Sequence, residues 1–284
     1  MKILSYLLFL AMLLTPLSIR GQSVYSNEDV DVVQLSESVY LLKVKSDFTA
    51  NCLLIEGKEG LLIVDTGFED TKDNFKDAID SFGKPVKAVV NSHAHHDHMG
   101  ANQLFGKDVL IIGHQNCLKS YEQFGHTVQN ISNNPTYDFE GTLIFFIAYT
   151  GGHSNCDILT FIPDLNLAFL GDLFLSESLP LVLTESGASA EILVLHLNEI
   201  FQSLPDNTLM IPGHGKTTSM EYFGGYIALL EETVEIVRKK MKSGWSLQKI
   251  QQEDVLKKYG RFGQYLPFIT KESWIEQIYL SYSK

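Results

Sequence analysis

Four side chains able to bind a metal ion fall within six residues: His93, His95, Asp97 and His98, in the run His-Ala-His-His-Asp-His. Neutral imidazoles and carboxylates are the usual ligands of zinc and related cations. Packing gains nothing from crowding them, since every buried polar group needs a partner. Three later positions repeat the pattern, each beside glycine after a β-rich run: His153 after Gly151-Gly152, Asp172 after Gly171, and His214 between Gly213 and Gly215. Glycine lets the backbone approach closely at such turns. Four strand ends that each deliver ligand-type groups suit a two-metal site, in which a shared water is made nucleophilic.

These residues need strands behind them. Apolar and β-branched runs predict strands over 30–33, 39–44, 51–56 and 60–65, the last two a hairpin. Strand 86–90 delivers the histidine cluster, and further strands are expected over 109–112, 142–149, 158–162, 167–170 and 208–211. Residues 71–82 read as an amphipathic helix with Phe75, Ile79 and Phe82 on one face; 100–105 read as a helix start. Residues 116–140 are polar and poorly periodic, and a loop with one short helix is expected there. Helices follow over 191–204, 220–242, 246–258 and 270–282, with Trp245, Trp274 and Ile278 packing the last ones onto the body. Strand sets alternating with helices indicate an α/β fold of two sheets packed together with helices outside.

The 284-residue chain is 45% apolar, enough for a large core. Residues 1–22 stand apart: a short positive start, an apolar run over 3–19 broken by Pro16, then small and polar residues. They have the form of a signal peptide, too short for a stable span. The expected organisation is a signal over 1–22 and one domain over 23–284, with no stable membrane insertion after signal cleavage and an exported, periplasmic or secreted destination. Residues 1–22 hold two of the 22 basic residues and none of the 34 acidic ones, so the remainder carries a net charge of −14. Such a surface repels polyanions, which excludes nucleic acid and leaves a small-molecule substrate as the expected partner. Cys52, Cys117 and Cys156 match no zinc-finger or CxxC spacing; free buried thiols are expected, with one disulfide open to them after export.

The motifs Asp65-Thr66-Gly67, the run from Asn91 to Gly100, Gly152-His153-Ser154, Gly171-Asp172 and Pro212-Gly213-His214-Gly215 together resemble the metallo-β-lactamase-fold hydrolase superfamily. The resemblance implies an αββα four-layer sandwich with the site along one edge between the sheets, and helices over 220–284 as an elaboration. It implies that His93, His95 and His153 hold one metal, that Asp97, His98 and His214 hold a second, and that Asp172 bridges them. Two zinc ions are expected, with iron or manganese as alternatives. Asp97 is also the expected catalytic group, orienting the attacking hydroxide. Asp65 resembles the family's aspartate behind the ligands, against the plainer reading of a turn residue. His96 occupies a variable slot and is expected to point away; His114, His126 and His196 read as packing or surface residues.

The implied reaction is zinc-dependent hydrolysis of an ester, lactone, amide or β-lactam. The alternative on the same fold is a mononuclear iron dioxygenase acting on a persulfide. Where B1 β-lactamases carry cysteine this chain has Asp172, and where they carry lysine three residues on it has Leu175. Residues 173–185 contain no Lys, Arg or Tyr, unlike glyoxalase II enzymes and quorum-signal lactonases in this region. An apolar, flap-like segment near the metals is expected there.

Overall fold

Alternate residues of the same strands enter different cores. In the computed structural model, which describes residues 21–122, 128–131, 135–263, 266 and 268–283, one sheet contains β1 (Gln22–Ser26), β2 (Val30–Gln34), β3 (Val39–Lys45), β4 (Thr49–Glu56), β5 (Leu61–Val64), β6 (Val86–Val90), β7 (Leu110–Gly113) and β8 (Val128–Asn130), in that spatial order. The other contains β9 (Thr136–Phe139), β10 (Thr142–Tyr149), β11 (Asp157–Ile162), β12 (Leu167–Phe169) and β13 (Leu209–Ile211). Leu53 and Ile55 of β4 face the second sheet, where they meet Ile144, Phe146, Ile158, Phe169 and Ile211. Cys52 and Leu54 of the same strand face outward, with Phe75, Ala78 and Ile79 of α1 (Lys72–Asp80). The period of two along a strand produces this division.

The second sheet is likewise covered. Leu159, Ala168 and Met210 point away from the first sheet into a core shared with α4 (Ala190–Ser203), α5 (Met220–Lys242), α6 (Leu247–Gln252) and α7 (Lys271–Ser281). Three cores therefore separate four layers, helix–sheet–sheet–helix, the α/β sandwich expected from the sequence. The helices after Met220 form part of the outer layer itself: Phe223, Tyr226 and Leu230 are buried there. Trp274 is fully buried, its indole N–H donating to Thr233 at 2.9 Å.

Most predicted elements lie where expected. Two strands, β8 and β9, occupy the polar stretch read as loop. The short helix α3 (Leu118–Glu122) lies there too. The helix expected over 246–258 stops at Gln252, and Asp254 then takes a left-handed conformation (φ 43°) with its carboxylate on Lys271 at 2.6 Å. Helical turns at Asn102–Leu104 replace the longer start read there. Of the expected signal, residues 1–20 lie outside the described residues, and β1 begins at Gln22. Among the described residues no helix is long and apolar enough to cross a membrane.

Of the two readings open to the cysteines, one disulfide is the outcome. Cys117 and Cys156 form a disulfide with their Cα atoms 6.0 Å apart, and only Cys52 is a free, buried thiol. The pairing arises because the turn after β7 and the turn before β11 meet, and Asn116 also donates to the Asn155 carbonyl there.

The reading of the apolar stretch 173–185 is corrected. It is not a flap: Leu173, Phe174, Leu175, Leu179 and Val182 are buried in the outer core.

Candidate metal centre

Strands β5, β6 and β7 run parallel, as do β12 and β13, and their carboxyl ends lie along one edge of the sandwich. At such an edge the chain leaves each strand through a turn whose side chains point into a common crevice. The β6 exit supplies His93, His95 and, from the one-turn helix α2 (His96–Met99), Asp97 and His98. The turn before β11 supplies His153, the β12 exit Asp172, and the β13 exit His214.

These seven residues come together as two overlapping groups. His93, His95, His153 and Asp172 form one, and Asp97, His98, His214 and Asp172 the other; the ligand atoms within each lie within 4.8 Å of one another. All are buried apart from half-buried His95. Asp172 belongs to both, with Oδ1 3.2 Å from His98 Nε2 and 3.3 Å from His214 Nε2, and Oδ2 3.8 Å from His153 Nε2.

The outer ring atoms explain the orientation. His98 Nδ1 is 2.7 Å from Asp65, His153 Nδ1 is 2.7 Å from the Leu181 carbonyl, and His214 Nδ1 is 2.7 Å from the Thr49 carbonyl. His93 Nδ1 lies 3.1 Å from Ser92 Oγ, which itself donates to Asp65. Each acceptor assigns the outer proton to Nδ1, so Nε2 faces the centre as a ligand atom. His95 presents Nδ1 instead, 2.9 Å from His93 Nε2 and 3.1 Å from His153 Nε2. Inward-facing imidazole nitrogens at these separations fit a cation between them. The same holds for Asp172 Oδ1, which is buried and accepts no well-formed hydrogen bond. The donor set therefore suits metal ions, and Asp65 stands behind the ligands as the resemblance implied.

The electrostatics divide the groups. Burial pushes His93 down, with the neighbouring His98 and His95 adding to it, and burial with His153 takes His95 down to about 4. Burial opposes charge on His98 and His214 too, but Asp97 and Asp172 outweigh it: His98 rises and His214 is pushed up to about 9. Asp97 and Asp172 are held below the usual carboxylate range against the cost of burial, by His98 and His214. Without a cation, protons on His98 and His214 balance the two acids.

The turns are built for this crowding. A Cβ on Gly213 would lie 2.0 Å from Asp172 Oδ1. Asp65 takes a left-handed backbone (φ 62°), which short polar side chains tolerate best, and so accepts from both the backbone N–H and the hydroxyl of Ser92.

The other described histidines join neither group, although His96 borders the cavity above them. His96 is exposed, His114 is buried and accepts from the Asn116 N–H, and His196 lies against Tyr149. His126 lies outside the described residues. A cavity of about 230 Å³ opens over the ligands, between Phe48, Leu181, Leu266, Phe268 and Ile269. Isolated apolar residues carry no signal of such a role, so the sequence did not reveal this wall.

Fold and ligand-type groups together resemble those of the metallo-β-lactamase superfamily, and the comparisons support placing the chain there. The sequence model of that superfamily matches residues 46–109. The chain is 22% identical to the metallo-beta-lactamase type 2 of Bacteroides fragilis over 243 residues, covering 81% of this chain and 95% of that protein. It is 25% identical to the probable metallo-hydrolase YqgX of Bacillus subtilis over 187 residues, covering 60% and 87%. The solved metallo-beta-lactamase from Pontibacter korlensis shares the fold, with a TM-score of 0.61 at 18% identity over 71% of this chain and 99% of that one.

Proposed function

We propose that this protein is an exported, zinc-dependent hydrolase that cleaves an ester, lactone, amide or β-lactam bond in a small molecule. The observation that carries the reading is the pair of ligand groups sharing Asp172 beneath an open cavity. His93, His95 and His153 would hold one ion, Asp97, His98 and His214 the other, and Asp172 both. Bound there, the ions supply Lewis-acid polarisation of a carbonyl and lower the pKa of water from ~15.7 toward ~7.

The chain's own residues do the rest. Asp97 borders the cavity as a carboxylate held ionised, so it accepts a hydrogen bond from the attacking water and orients it. Asp65, Ser92, Leu181 and Thr49 fix the imidazole rings, so little reorganisation is needed at the moment of reaction. Export is supported by the leader-like start of the sequence and by the Cys117–Cys156 disulfide, a bond favoured in oxidising compartments.

The test is metal analysis of the purified protein, followed by turnover of a panel of esters, lactones, amides and β-lactams. Two zinc ions per chain and cleavage of at least one class are expected. A single iron with oxygen consumption on a persulfide would establish the dioxygenase reading instead, and a zinc-loaded protein inert on the whole panel would refute hydrolysis of these bonds.

A further inference from the structure

The cavity above the ligand groups has a wall made from opposite ends of the chain. Phe48, in the β3–β4 turn, lies against His214 with ring centroids 5.3 Å apart. Phe268, between the helical turns at Lys257–Gly263 and α7, meets Phe48 at 5.4 Å. Leu266 and Ile269 are each 1% exposed and sit in the core beneath α5 and α7, whereas Phe268 between them is 53% exposed. Leu181, whose carbonyl holds His153, borders the cavity as well.

A single exposed phenylalanine needs no explanation. This one lies between buried Leu266 and Ile269 in the chain, and it borders the cavity over the ligand floor beside Phe48. Its water-facing ring has something to gain only if an apolar group covers it. The space between this wall and the ligand floor, about 230 Å³, has room for one ring or short alkyl group beside a carbonyl.

We propose that Phe268 and Phe48 are specificity-determining residues, selecting a small carbonyl compound that carries one aryl or short alkyl group. The carbonyl rests on the ligand floor, the apolar group packs on the two rings, and Phe268 together with Leu266 and Ile269 leaves no room for a second bulky ring. This inference rests on the hydrolase reading and names its substrate class.

Benzyl acetate and the bulkier benzhydryl acetate test it, both uncharged and equal at the scissile bond. The metal-free protein serves for binding by ligand-observed NMR, and the zinc-loaded protein for turnover. Wild type is expected to bind benzyl acetate and to exclude benzhydryl acetate. Phe268→Ala is expected to weaken benzyl acetate binding about tenfold, the effect of losing one apolar ring contact. It is also expected to raise KM with kcat little changed, and to admit the larger ester. Phe268→Leu should recover most of the loss. Phe268 is exposed, so an unchanged thermal midpoint is expected for both variants. Equal binding by wild type and Phe268→Ala would overturn the proposal, as would wild type taking both esters alike. Phe268-dependent binding with no cleavage of any panel substrate supports the wall and removes the hydrolase reading. Cleavage indifferent to Phe268 overturns the wall alone.

Discussion

Asp65 and His98, both fully buried, are joined by a 2.7 Å contact between a carboxylate oxygen and Nδ1. Asp65 also accepts from the Ser92 N–H at 2.7 Å and the Ser92 hydroxyl at 2.6 Å, and Ser92 abuts His93. One carboxylate thus steadies a ring in each ligand group. Asp65→Asn keeps the shape and removes the charge. It should weaken metal binding ~10–100-fold, the usual cost of losing a partner behind a ligand. Chelator competition measures this; an unchanged affinity would leave Asp65 a turn residue only.

The Cys117–Cys156 bond ties down the turn that carries His153, three residues before Cys156. Closing a loop of this length stabilises by ~3–4 kcal/mol in the chain-entropy account. Cys156→Ser, or reduction, should therefore lower the thermal midpoint by several degrees. It should also weaken the His93, His95 and His153 group more than the Asp97, His98 and His214 group. Cys52→Ser provides the comparison for thiol removal outside the disulfide, since that cysteine is buried and forms no disulfide. Sequential metal titrations of the two variants decide the matter, and equal losses in both groups would argue for general destabilisation.

Protonation separates the groups in the metal-free protein. At pH 7.5 His98 and His214 are charged, the latter with a pKa of about 9, while His93 and His95 are neutral. Ligand nitrogens must be unprotonated to coordinate. Metal uptake at pH 7.5 should therefore release protons from His98 and His214 rather than from His93 and His95, with a further proton where bound water ionises. Calorimetry in two buffers of different ionisation enthalpy counts them. The stability of the metal-free fold follows with a definite sign. His214, raised when folded, contributes below its unfolded value near 6.5, and that contribution is lost as pH rises through about 9. His95, lowered when folded, costs stability as pH falls from near 6.5 through about 4. These two groups alone place the maximum near pH 6.5, and denaturant melts across pH 4–9 would show it.

The clustering of seven ligand-type residues was legible because they sit in turns that follow apolar runs, and strand periodicity is a strong local signal. What surrounds the set was not. The Leu181 and Thr49 carbonyls that aim His153 and His214 are backbone atoms, invisible to residue type. Phe48 and Phe268 meet only because the C-terminal helices fold back over the sheet. The stretch 173–185 shows the reverse case: its apolar character was plain, but composition alone does not tell a flap from a core segment. Strands β8 and β9 have polar sequences whose pairing at the sheet edges supplies the regularity.

Asp97 stands 3.1 Å from His214 Nε2 and borders the cavity. Asp97→Asn keeps the volume and removes both the charge and the proton acceptor. Turnover should fall ~10²–10⁴-fold, the range that general acid–base groups contribute. The fold should persist, because the residue sits at the cavity floor and outside the apolar cores. Steady-state kinetics on the zinc-loaded variant, with metal content measured in parallel, separate a chemical loss from failure to hold zinc. A rate near wild type would remove Asp97 from the mechanism.

Gly213 tests whether the β13 exit turn sets the bridging position. An added methyl group would fall 2.0 Å from Asp172 Oδ1 and 2.8 Å from the Gly171 backbone, so either the carboxylate or the turn must move. The Gly213 N–H is also bonded to the Gly171 carbonyl at 2.8 Å, which resists movement of the turn. Asp172 is therefore the group displaced. Since it is shared by both ligand groups, Gly213→Ala should reduce zinc content at both together. Gly83→Ala offers a contrast: its Cβ would meet nothing within 4 Å, so its cost is limited to backbone strain at φ 67° and should leave zinc content unchanged. Zinc analysis and thermal melts of the two variants distinguish the cases. Loss of one ion with the other retained in Gly213→Ala would mean that Asp172 serves a single metal, and the bridging assignment would fall.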